Sequence, residues 1–361
     1  MEEPLRILCV FACLDRGGAE TMCMELYRNM DKEKIQFDFV KHTSNIGQYE
    51  NEITDLGGRI FEAPKFSGYN LISYANWWKK HFLLHPEHKI VHGHYFTISY
   101  IYFLIAKHMN RLTIAHSHSS GIKTASLKYW LAEKFVKMVE CVADYRFACS
   151  EQAGKWMYPH KDFYILHNAI DLEKFSFSLE KRVAIRHMFH LKDELVLGSV
   201  GNFTNAKNPL GLVDVFCEIS KIYSNAKLLW VGDGPLRKEA EKKVEEIGLS
   251  KTVIFTGVRS DVDQLMQAMD VFLLPSLWEG LPVVTVEAQA AGLPCLISDA
   301  VSREAAITDL CAFLPHSNPA LWADAIRNLN LVRRDTREEI RRSGYDIRTT
   351  AKWLEEFYVN L

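Results

Sequence analysis

Two glutamates eight residues apart are the first candidates for chemistry in this chain. Glu279 and Glu287 lie in the stretch LWEGLPVVTVEAQAAGLP, residues 277–294, with a Gly-Leu-Pro turn between them. Acidic side chains near a helix start are favoured by the helix dipole and by free N–H groups, so capping is the simplest explanation. A carboxylate also accepts two hydroxyl hydrogen bonds, so Glu287 could hold a ribose diol while Glu279 lies over a ligand.

Backbone groups of the same stretch could bind an anion. Pro282 suits the first turn of a helix, and Gly292 suits its end. N–H groups of Gly280, Leu281 and Val283 onward would then lack helical partners and be available to a diphosphate. The stretch therefore predicts a diphosphate site at a helix N-terminus.

Four further loops, each following a predicted strand, carry residue types that bind phosphates or sugars. They contain Gly17-Gly18 in DRGGAE, Lys207 in GNFTNAKNP, Gly232 and Gly234 in VGDGPLRKEA, and Arg259 in FTGVRSDVDQL. The glycines would let backbone N–H groups approach a ligand, and the lysine could hold a phosphate; a plain turn and a solvated lysine are the alternatives. A dinucleotide fingerprint is excluded, because Arg237 stands where its third glycine belongs.

Two His-x-His pairs end predicted strands: His92 with His94, and His116 with His118. Histidine is a common zinc ligand. We expect neither pair to converge, because alternating side chains of a strand point to opposite faces, and no cysteine or carboxylate completes a ligand set. The Asp-Val-Asp run at 261–263 resembles a metal-binding motif but begins a helical stretch, so we expect capping there. The sequence therefore predicts no metal site.

Short apolar runs alternate with amphipathic segments along the chain. Strands are predicted at Ile7–Phe11, Phe37–Lys41, Ile90–His94, Leu112–Ser117, Asp144–Cys149 and Tyr164–Leu166, and again at Val196–Gly201, Lys227–Val231, Val253–Thr256, Val271–Pro275 and Cys295–Ser298. Helices are predicted between them, among them Glu20–Met30, Tyr100–Met109 and Leu127–Cys141. This order predicts an α/β fold of two doubly wound, Rossmann-like domains facing a cleft.

The domain boundary is predicted where apolar sequence gives way to charged sequence after Ile170-Asp171. We expect an N-terminal domain over residues 1–172, a C-terminal domain over 173–344, and a helix within 345–361. The apolar positions of that helix, Ala351, Leu354, Phe357 and Tyr358, would dock it back on the N-terminal domain.

Composition excludes several classes of protein. The 361 residues carry a formal net charge of −2, which argues against a nucleic-acid binder. The N-terminus lacks the basic start of a signal peptide, and no apolar run approaches the length of a membrane span. Eight scattered cysteines without a C-x-x-C pair predict small, unpaired core residues in a reducing compartment, the cytoplasm.

The stretch PSLWEGLPVVTVEAQAAGLP resembles the E-x7-E signature of retaining glycosyltransferases of family 4, which have the GT-B fold. The likeness extends over nearly the whole chain, because other family motifs follow in the family's order: RGGAE, ILHNAIDLEKF, SVGNFTNAKNP, LLWVGDGPLRKEAEKKVEEIGL, VIFTGVRSDV and DVFLLPS. The chain is identified as resembling the compact members used in exopolysaccharide or capsule synthesis.

The resemblance implies a role for each candidate residue. The C-terminal domain would bind a nucleotide sugar and the N-terminal domain an acceptor. Site residues implied in this way are Glu287 on the ribose, Glu279 near the sugar, Lys207 on the diphosphate, Gly17 and Gly18 facing it, Arg259 and the Gly232–Gly234 loop near the base and sugar, His118 in the active site, and His116 and His94 on the acceptor side. Asn202 departs from the family, which commonly has arginine there.

The resemblance also implies the reaction. A hexosyl unit would move with retention from a nucleotide sugar, preferentially a UDP-sugar, to a hydroxyl of a lipid-linked glycan, without a metal or other cofactor. The segment NWWKKHFLLH, residues 76–85, suits a membrane interface, although core packing of a helix explains it equally simply. The alternatives are a catalytically inactive sugar-nucleotide-binding scaffold, which Asn202 keeps open, and a UDP-sugar 2-epimerase.

Overall fold

A computed structural model describes residues 3–119, 121 and 133–361 of the chain. The chain forms two compact units, Met1–Ala169 with Ile347–Leu361, and Ile170–Asp346. The first part of the predicted helix Leu127–Cys141 lies outside the described residues. Residues 133–137 are helical.

The first unit contains a seven-stranded parallel sheet in the order β3-β2-β1-β4-β5-β6-β7. Its strands are β1 (Leu5–Val10), β2 (Ile35–Lys41), β3 (Ile60–Glu62), β4 (Ile90–Gly93), β5 (Leu112–Ser117), β6 (Tyr145–Ala148) and β7 (Tyr164–Ile165). Its helices are α1 (Gly18–Asn29), α2 (Glu50–Asp55), α3 (Leu71–Leu84), α4 (Ser99–His108), α5 (Val139–Val142) and α6 (Glu151–Met157). The sheet is wound in opposite directions on either side of the β1–β4 pair, so β1 and β4 form its switch point.

The second unit repeats this plan with a six-stranded parallel sheet in the order β10-β9-β8-β11-β12-β13. Its strands are β8 (Val196–Val200), β9 (Lys227–Val231), β10 (Val253–Gly257), β11 (Val271–Leu274), β12 (Cys295–Ser298) and β13 (Cys311–Leu314). Its helices are α7 (Leu172–Phe175), α8 (Leu179–Met188), α9 (Pro209–Ile222), α10 (Arg237–Glu246), α11 (Val262–Ala268), α12 (Val283–Ala290), α13 (Pro319–Ile326) and α14 (Arg337–Arg342). Here β8 and β11 form the switch point.

The last helix, α15 (Ile347–Val359), belongs to the first unit and packs against α1. Ala351, Leu354 and Tyr358 are buried there in the cluster that also contains Ile7 and Phe37. A stripe of apolar residues at helical spacing explains this docking, because burying it removes the apolar face from water.

The central strands are buried on both faces because helices cover the sheets on both sides. Residues Ile7, Leu8, Cys9 and Val10 of β1 have no exposed surface. Such strands are near-continuous apolar runs, as parallel sheets require. All eight cysteines are free, and Cys141 is exposed rather than part of a core. Within the described part of the chain, no helix is long and apolar enough to cross a bilayer.

Candidate active site

The loops that follow β8 and β11 are joined at the switch point of the second sheet. The Leu277 N–H donates to the carbonyl of Ala206 at 2.8 Å, and the side-chain amide of Asn208 donates to the carbonyl of Pro275 at 3.0 Å. Asn208 adopts a left-handed conformation and also caps α9 through the N–H of Gly211. These bonds hold the two loops in one place, which is where parallel sheets of this kind bind ligands.

Lys207 and Glu279 meet in these loops. The Lys207 Nζ lies 2.5 Å from Oε1 of Glu279, and the Ser276 hydroxyl donates to the same oxygen at 3.0 Å. The side chains of Lys207 and Glu279 are 24% and 15% exposed, so the pair is partly desolvated and stronger than a surface pair. The structure therefore joins two predicted site residues and adds Ser276, which sequence reasoning missed.

Glycines bring the neighbouring loops close to this pair. The N–H of Gly201 donates to the carbonyl of Val231, and the N–H of Gly232 donates to the carbonyl of Gly257. A Cβ at Gly232, where φ is +133°, would lie 2.1 Å from the carbonyl oxygen of Gly201. Glycine is therefore required at this position by backbone packing, whether or not a ligand approaches it. Gly234 packs in the same way against the backbone of Phe203.

Two arginines beside these loops are held by acids. Arg259 makes two hydrogen bonds to the carboxylate of Asp261, at 2.8 and 2.6 Å, and these bonds lower the pKa of Asp261. The side chain of Asp261 does not cap α11, so the expectation of capping was wrong for this residue: it pairs with Arg259 instead. Arg237 pairs with Asp233 at 3.0 Å and with Glu241 at 2.8 Å.

Glu287 lies on α12, half-buried, beyond the first turn of the helix. The helix begins at Val283, with Pro282 at the N-cap position rather than in the first turn as expected. No acidic residue lies in the first turn, and the effect of the helix dipole falls off within that turn. Capping therefore does not explain Glu287. Gly292 follows the end of α12 with a φ of +68°, as a helix stop requires.

The remaining predicted donor residues lie around this loop system. Gly280 is exposed, Leu281 is half-buried against the core of the second unit, and Pro282 is buried. The side chain of Asn202 is exposed in the loop after β8, where it leaves Lys207 as the cation of that loop. The Thr285 N–H donates to the carbonyl of Pro282. The N–H groups of Val283 and Val284 at the start of α12 have no backbone acceptor among the described residues, so they suit an anion.

The glycine pair of the first unit lies at the end of β1. Gly17 is the N-cap of α1, and a Cβ there would meet the Glu20 carboxylate at 2.2 Å. A Cβ at Gly18 would meet nothing within 4 Å. Burial and the nearby Asp15 raise the pKa of Glu20. Gly18 thus has open space beside it at the switch point of the first sheet.

The four histidines of the two His-x-His pairs lie together at the ends of β4 and β5. The expectation that the pairs do not converge was wrong, because residues two positions apart on a strand lie on the same face. The ring centroids of His92 and His94 are 4.4 Å apart, and those of His116 and His118 are 4.1 Å apart. The centroids of His92 and His116 are 5.3 Å apart. The Nδ1 of His94 lies 2.8 Å from the Nε2 of His118.

Burial lowers the pKa of all four imidazoles. The pKa of His92 and of His118 falls to about 3, and the pKa values of His94 and His116 fall well below the ordinary value, helped by the neighbouring rings. All four are therefore neutral at pH 7, each with one protonated and one unprotonated ring nitrogen. A neutral histidine such as His118 can hydrogen-bond to a sugar hydroxyl or bind a metal ion.

Two family models match successive parts of this chain. Residues 16–174 match the family model described as Glycosyltransferase Family 4, and residues 183–346 match the model described as Glycosyl transferases group 1. EpsF of Bacillus subtilis (strain 168), named as a glycosyltransferase, is 33% identical over 98% of this chain and 96% of its own length. The UDP-Gal:alpha-D-GlcNAc-diphosphoundecaprenol alpha-1,3-galactosyltransferase of Escherichia coli is 27% identical over 55% of this chain and 54% of its own.

Solved structures share the fold. Anabaena HepE, crystallised in complex with UDP, superposes with a TM-score of 0.81 at 16% identity, over 99% of this chain and 100% of that one. Sucrose-phosphate synthase from Thermosynechococcus elongatus superposes with a TM-score of 0.76 at 18% identity, over 98% of each chain. At these identities the likeness shows the architecture alone.

Proposed function

Since the chain belongs to glycosyltransferase family 4 and has the GT-B fold, we propose that it transfers a hexosyl unit from a UDP-sugar to a hydroxyl of a lipid-linked glycan. It is a hexosyltransferase of polysaccharide synthesis. We place that synthesis in exopolysaccharide or capsule assembly, and we propose that the anomeric configuration is retained. The second unit binds the donor in this proposal, and the first unit binds the acceptor.

The Lys207–Glu279 pair at the β8–β11 switch point carries the proposal. A diphosphate needs a cation and N–H donors, and a sugar needs a hydrogen-bond acceptor close to them. The loop after β8 supplies the cation, the start of α12 supplies N–H groups, and Glu279 supplies the acceptor 2.5 Å from the cation. Glu287, beyond the first turn of α12, is assigned to the ribose diol.

The reaction breaks the bond between the anomeric carbon and the diphosphate oxygen, whose electron pair leaves with the nucleotide. A new bond forms between that carbon and the acceptor oxygen on the same face, and the acceptor proton passes to the departing phosphate. Charge therefore grows on the diphosphate in the transition state, and Lys207 with the α12 N–H groups is placed to stabilise it. Glu279 is assigned to hydroxyls of the transferred sugar, and the family resemblance assigns His118 to the active site.

We propose that this stabilisation needs no metal ion. In the second unit, all of whose residues are described, no three histidine, cysteine or acidic side chains lie close enough to share an ion. Asp261 and Asp263, the metal-like pair in its sequence, bind Arg259 and two lysines respectively. In this proposal Lys207 and the N-terminus of α12 stabilise the diphosphate, as a metal ion would otherwise do.

The exposed side of α3 supports a lipid-linked acceptor. Trp78 and Phe82 pack into the core, but Ile72, Leu83 and Leu84 are 79%, 71% and 64% exposed. Lys79 and Lys80 are exposed on the same helix. Apolar and basic side chains exposed together suit the surface of an anionic membrane, where a lipid-linked glycan is displayed.

A melting experiment tests the donor. At equal millimolar concentration, UDP should raise the melting temperature more than ADP or GDP does. A ligand at 100 times its Kd adds about 2.7 kcal/mol to the free energy of unfolding. A larger rise with GDP would overturn the uridine assignment. A second assay measures the release of UDP from a panel of UDP-sugars, with lysate lipids as acceptor. Release that depends on the protein identifies an enzyme, whereas no release would favour the inactive scaffold that Asn202 leaves open.

A further inference from the structure

The histidine cluster of the first unit contains an unusual number of buried nitrogens without partners. Among the described residues, nine buried side-chain nitrogen or oxygen atoms make no hydrogen bond, and five of them belong to His92, His94, His116 and His118. An unsatisfied buried polar group costs about 1–3 kcal/mol, so five in one cluster is a large cost for a protein to retain. No group of the described residues satisfies them, which points to a bound ligand.

Other buried histidines of the same unit show that this is not a general property of the fold. His42 has both ring nitrogens bonded, Nδ1 at 2.9 Å from the carbonyl oxygen of Phe11 and Nε2 at 2.9 Å from the Tyr74 hydroxyl. His81 contacts His88, which in turn contacts the Asp38 carboxylate at 2.8 Å. The described part of this unit therefore provides partners for these other buried histidines, in contrast to the cluster at the ends of β4 and β5.

The pattern of bonded and bare nitrogens is that of metal ligands. His92 is held through Nδ1 by the Tyr358 hydroxyl at 2.5 Å, and His94 is held through Nδ1 by His118 at 2.8 Å. In both, Nε2 is buried and has no partner. Histidines that bind metals almost always use one nitrogen for the ion and the other for such an outer contact. In His116 both nitrogens are bare; the Leu166 backbone favours its protonated form but completes no hydrogen bond.

We propose that His92, His94 and His116 bind one divalent transition-metal ion, zinc by their ligand chemistry. One nitrogen from each residue lies within 4.8 Å of the others. Zinc–nitrogen bonds of about 2.0–2.1 Å place tetrahedral ligands about 3.3 Å apart, so the stacked rings need to close by at most about 1.5 Å and to tilt toward a common point. Neutral imidazoles suit zinc, copper, nickel and iron, whereas calcium and magnesium require oxygen ligands.

Cys9 and Cys23 form a second set of possible ligands, which shares His94. Both thiols are buried and contact each other, and zinc takes cysteine as the thiolate, so this set would have to lose protons on binding. The buried nitrogens without partners lie on the histidines, and His92, His94 and His116 each contribute at least one. The three-histidine set is therefore the one that we assign.

The ion would also determine the proton positions on His118. With Nε2 of His94 on the metal, the proton of His94 must lie on Nδ1 and be donated to Nε2 of His118. His118 would then carry its own proton on Nδ1. The metal site would thus position His118 through its contact with His94. This inference does not depend on the proposal for the donor.

Metal content tests the inference directly. The full-length chain, purified without affinity metals, should contain about one zinc ion per chain by mass spectrometry, and apo-protein should take up Co²⁺ with the visible absorption of a tetrahedral nitrogen site. His92→Gln and His116→Gln should lose the ion, while His42→Gln, a buried histidine outside the cluster, should keep it. Tyr358→Phe should weaken zinc affinity roughly 10- to 100-fold, as removal of an outer contact does.

Circular dichroism and the UDP-induced rise in melting temperature show whether each variant is folded. Folded wild-type chain that neither contains nor takes up zinc or cobalt would overturn the inference and leave water as the partner of the bare nitrogens. Retention of the ion by folded His92→Gln and His116→Gln would also overturn it. An intense thiolate-to-cobalt band in the near ultraviolet would move the ion to Cys9 and Cys23.

Discussion

Replacing Glu279 by glutamine separates the two roles that meet in the Lys207–Glu279 pair. The substitution keeps the shape of the side chain and the hydrogen bond available to Ser276, but it removes the negative charge beside Lys207. If Lys207 binds the diphosphate, it must leave or share Glu279 when the nucleotide arrives. Glu279→Gln removes this competition, so we expect nucleotide binding to survive or to become tighter.

The expected change in UDP affinity follows from the distance between Lys207 and Glu279. Unit charges 2.5 Å apart attract by about 6–7 kcal/mol at an effective dielectric constant of 20. Most of that is offset by lost solvation, and a hydrogen bond to a charged group contributes about 1.5–3 kcal/mol net. A nucleotide that takes over part of this interaction would gain about 1.4 kcal/mol in the variant, a roughly tenfold lower Kd for UDP.

Turnover should change in the opposite direction. Glu279 is assigned to the sugar, where its charge stabilises the oxocarbenium-like carbon, so its loss should lower kcat roughly 10- to 100-fold while the donor still binds. Calorimetric titration with UDP and a transfer assay on the same preparation give both numbers. Ser276→Ala is the matched control, since it removes a contact to Glu279 and keeps both charges.

Lys207→Met removes the cation of the pair instead of the carboxylate and serves as the comparison. It should weaken UDP binding about 10- to 100-fold, because the diphosphate loses a charge-assisted partner. If Glu279→Gln bound UDP distinctly more weakly than wild type, the carboxylate would contribute to nucleotide binding and the assignment of the pair would be incorrect. Equal losses of UDP affinity in both variants would indicate that the pair only supports the loop.

Two further predictions concern the same donor site. Glu287→Gln should raise the Kd for UDP about ten- to hundredfold, since a ribose diol loses a charged acceptor worth about 1.5–3 kcal/mol; unchanged affinity, with a fall in melting temperature alone, would assign Glu287 to its helix. Transfer activity should persist during brief exposure to excess chelator, with metal content measured in the same sample, because Lys207 and the α12 N–H groups carry the leaving charge; loss of activity that manganese or magnesium restores would contradict this.

The sequence predicted eleven of the described strands, including the edge strands β7 and β10, and missed two at the other edges of the sheets. Leu112–Ser117, Lys227–Val231 and Cys295–Ser298 were predicted with the bounds that the structure has, because buried parallel strands are mostly apolar. The edge strands β3 and β13 were missed. Their residues are all partly exposed, and with only three and four residues they give no clear apolar run.

The site shows a different limit. Lys207 and Glu279 were both named from their loops, but their contact joins residues 72 positions apart and depends on bonds between backbones that no local pattern encodes. The histidine cluster, in contrast, could have been predicted. The period of a strand places His92 with His94, and His116 with His118, on one face each, and β4 and β5 are neighbours in the sheet.

The Lys207–Glu279 contact gives a physical reason for having both charges at the switch point. An unpaired charge in a partly desolvated loop is costly, and each of these charges satisfies the other before a donor binds. A diphosphate brings negative charge that attracts Lys207, so nucleotide binding weakens the hold of the lysine on Glu279. The carboxylate is then available to the sugar attached to that diphosphate. In this account the donor is accepted by an exchange of partners, and the carboxylate turns toward the anomeric carbon only when the leaving group is in place.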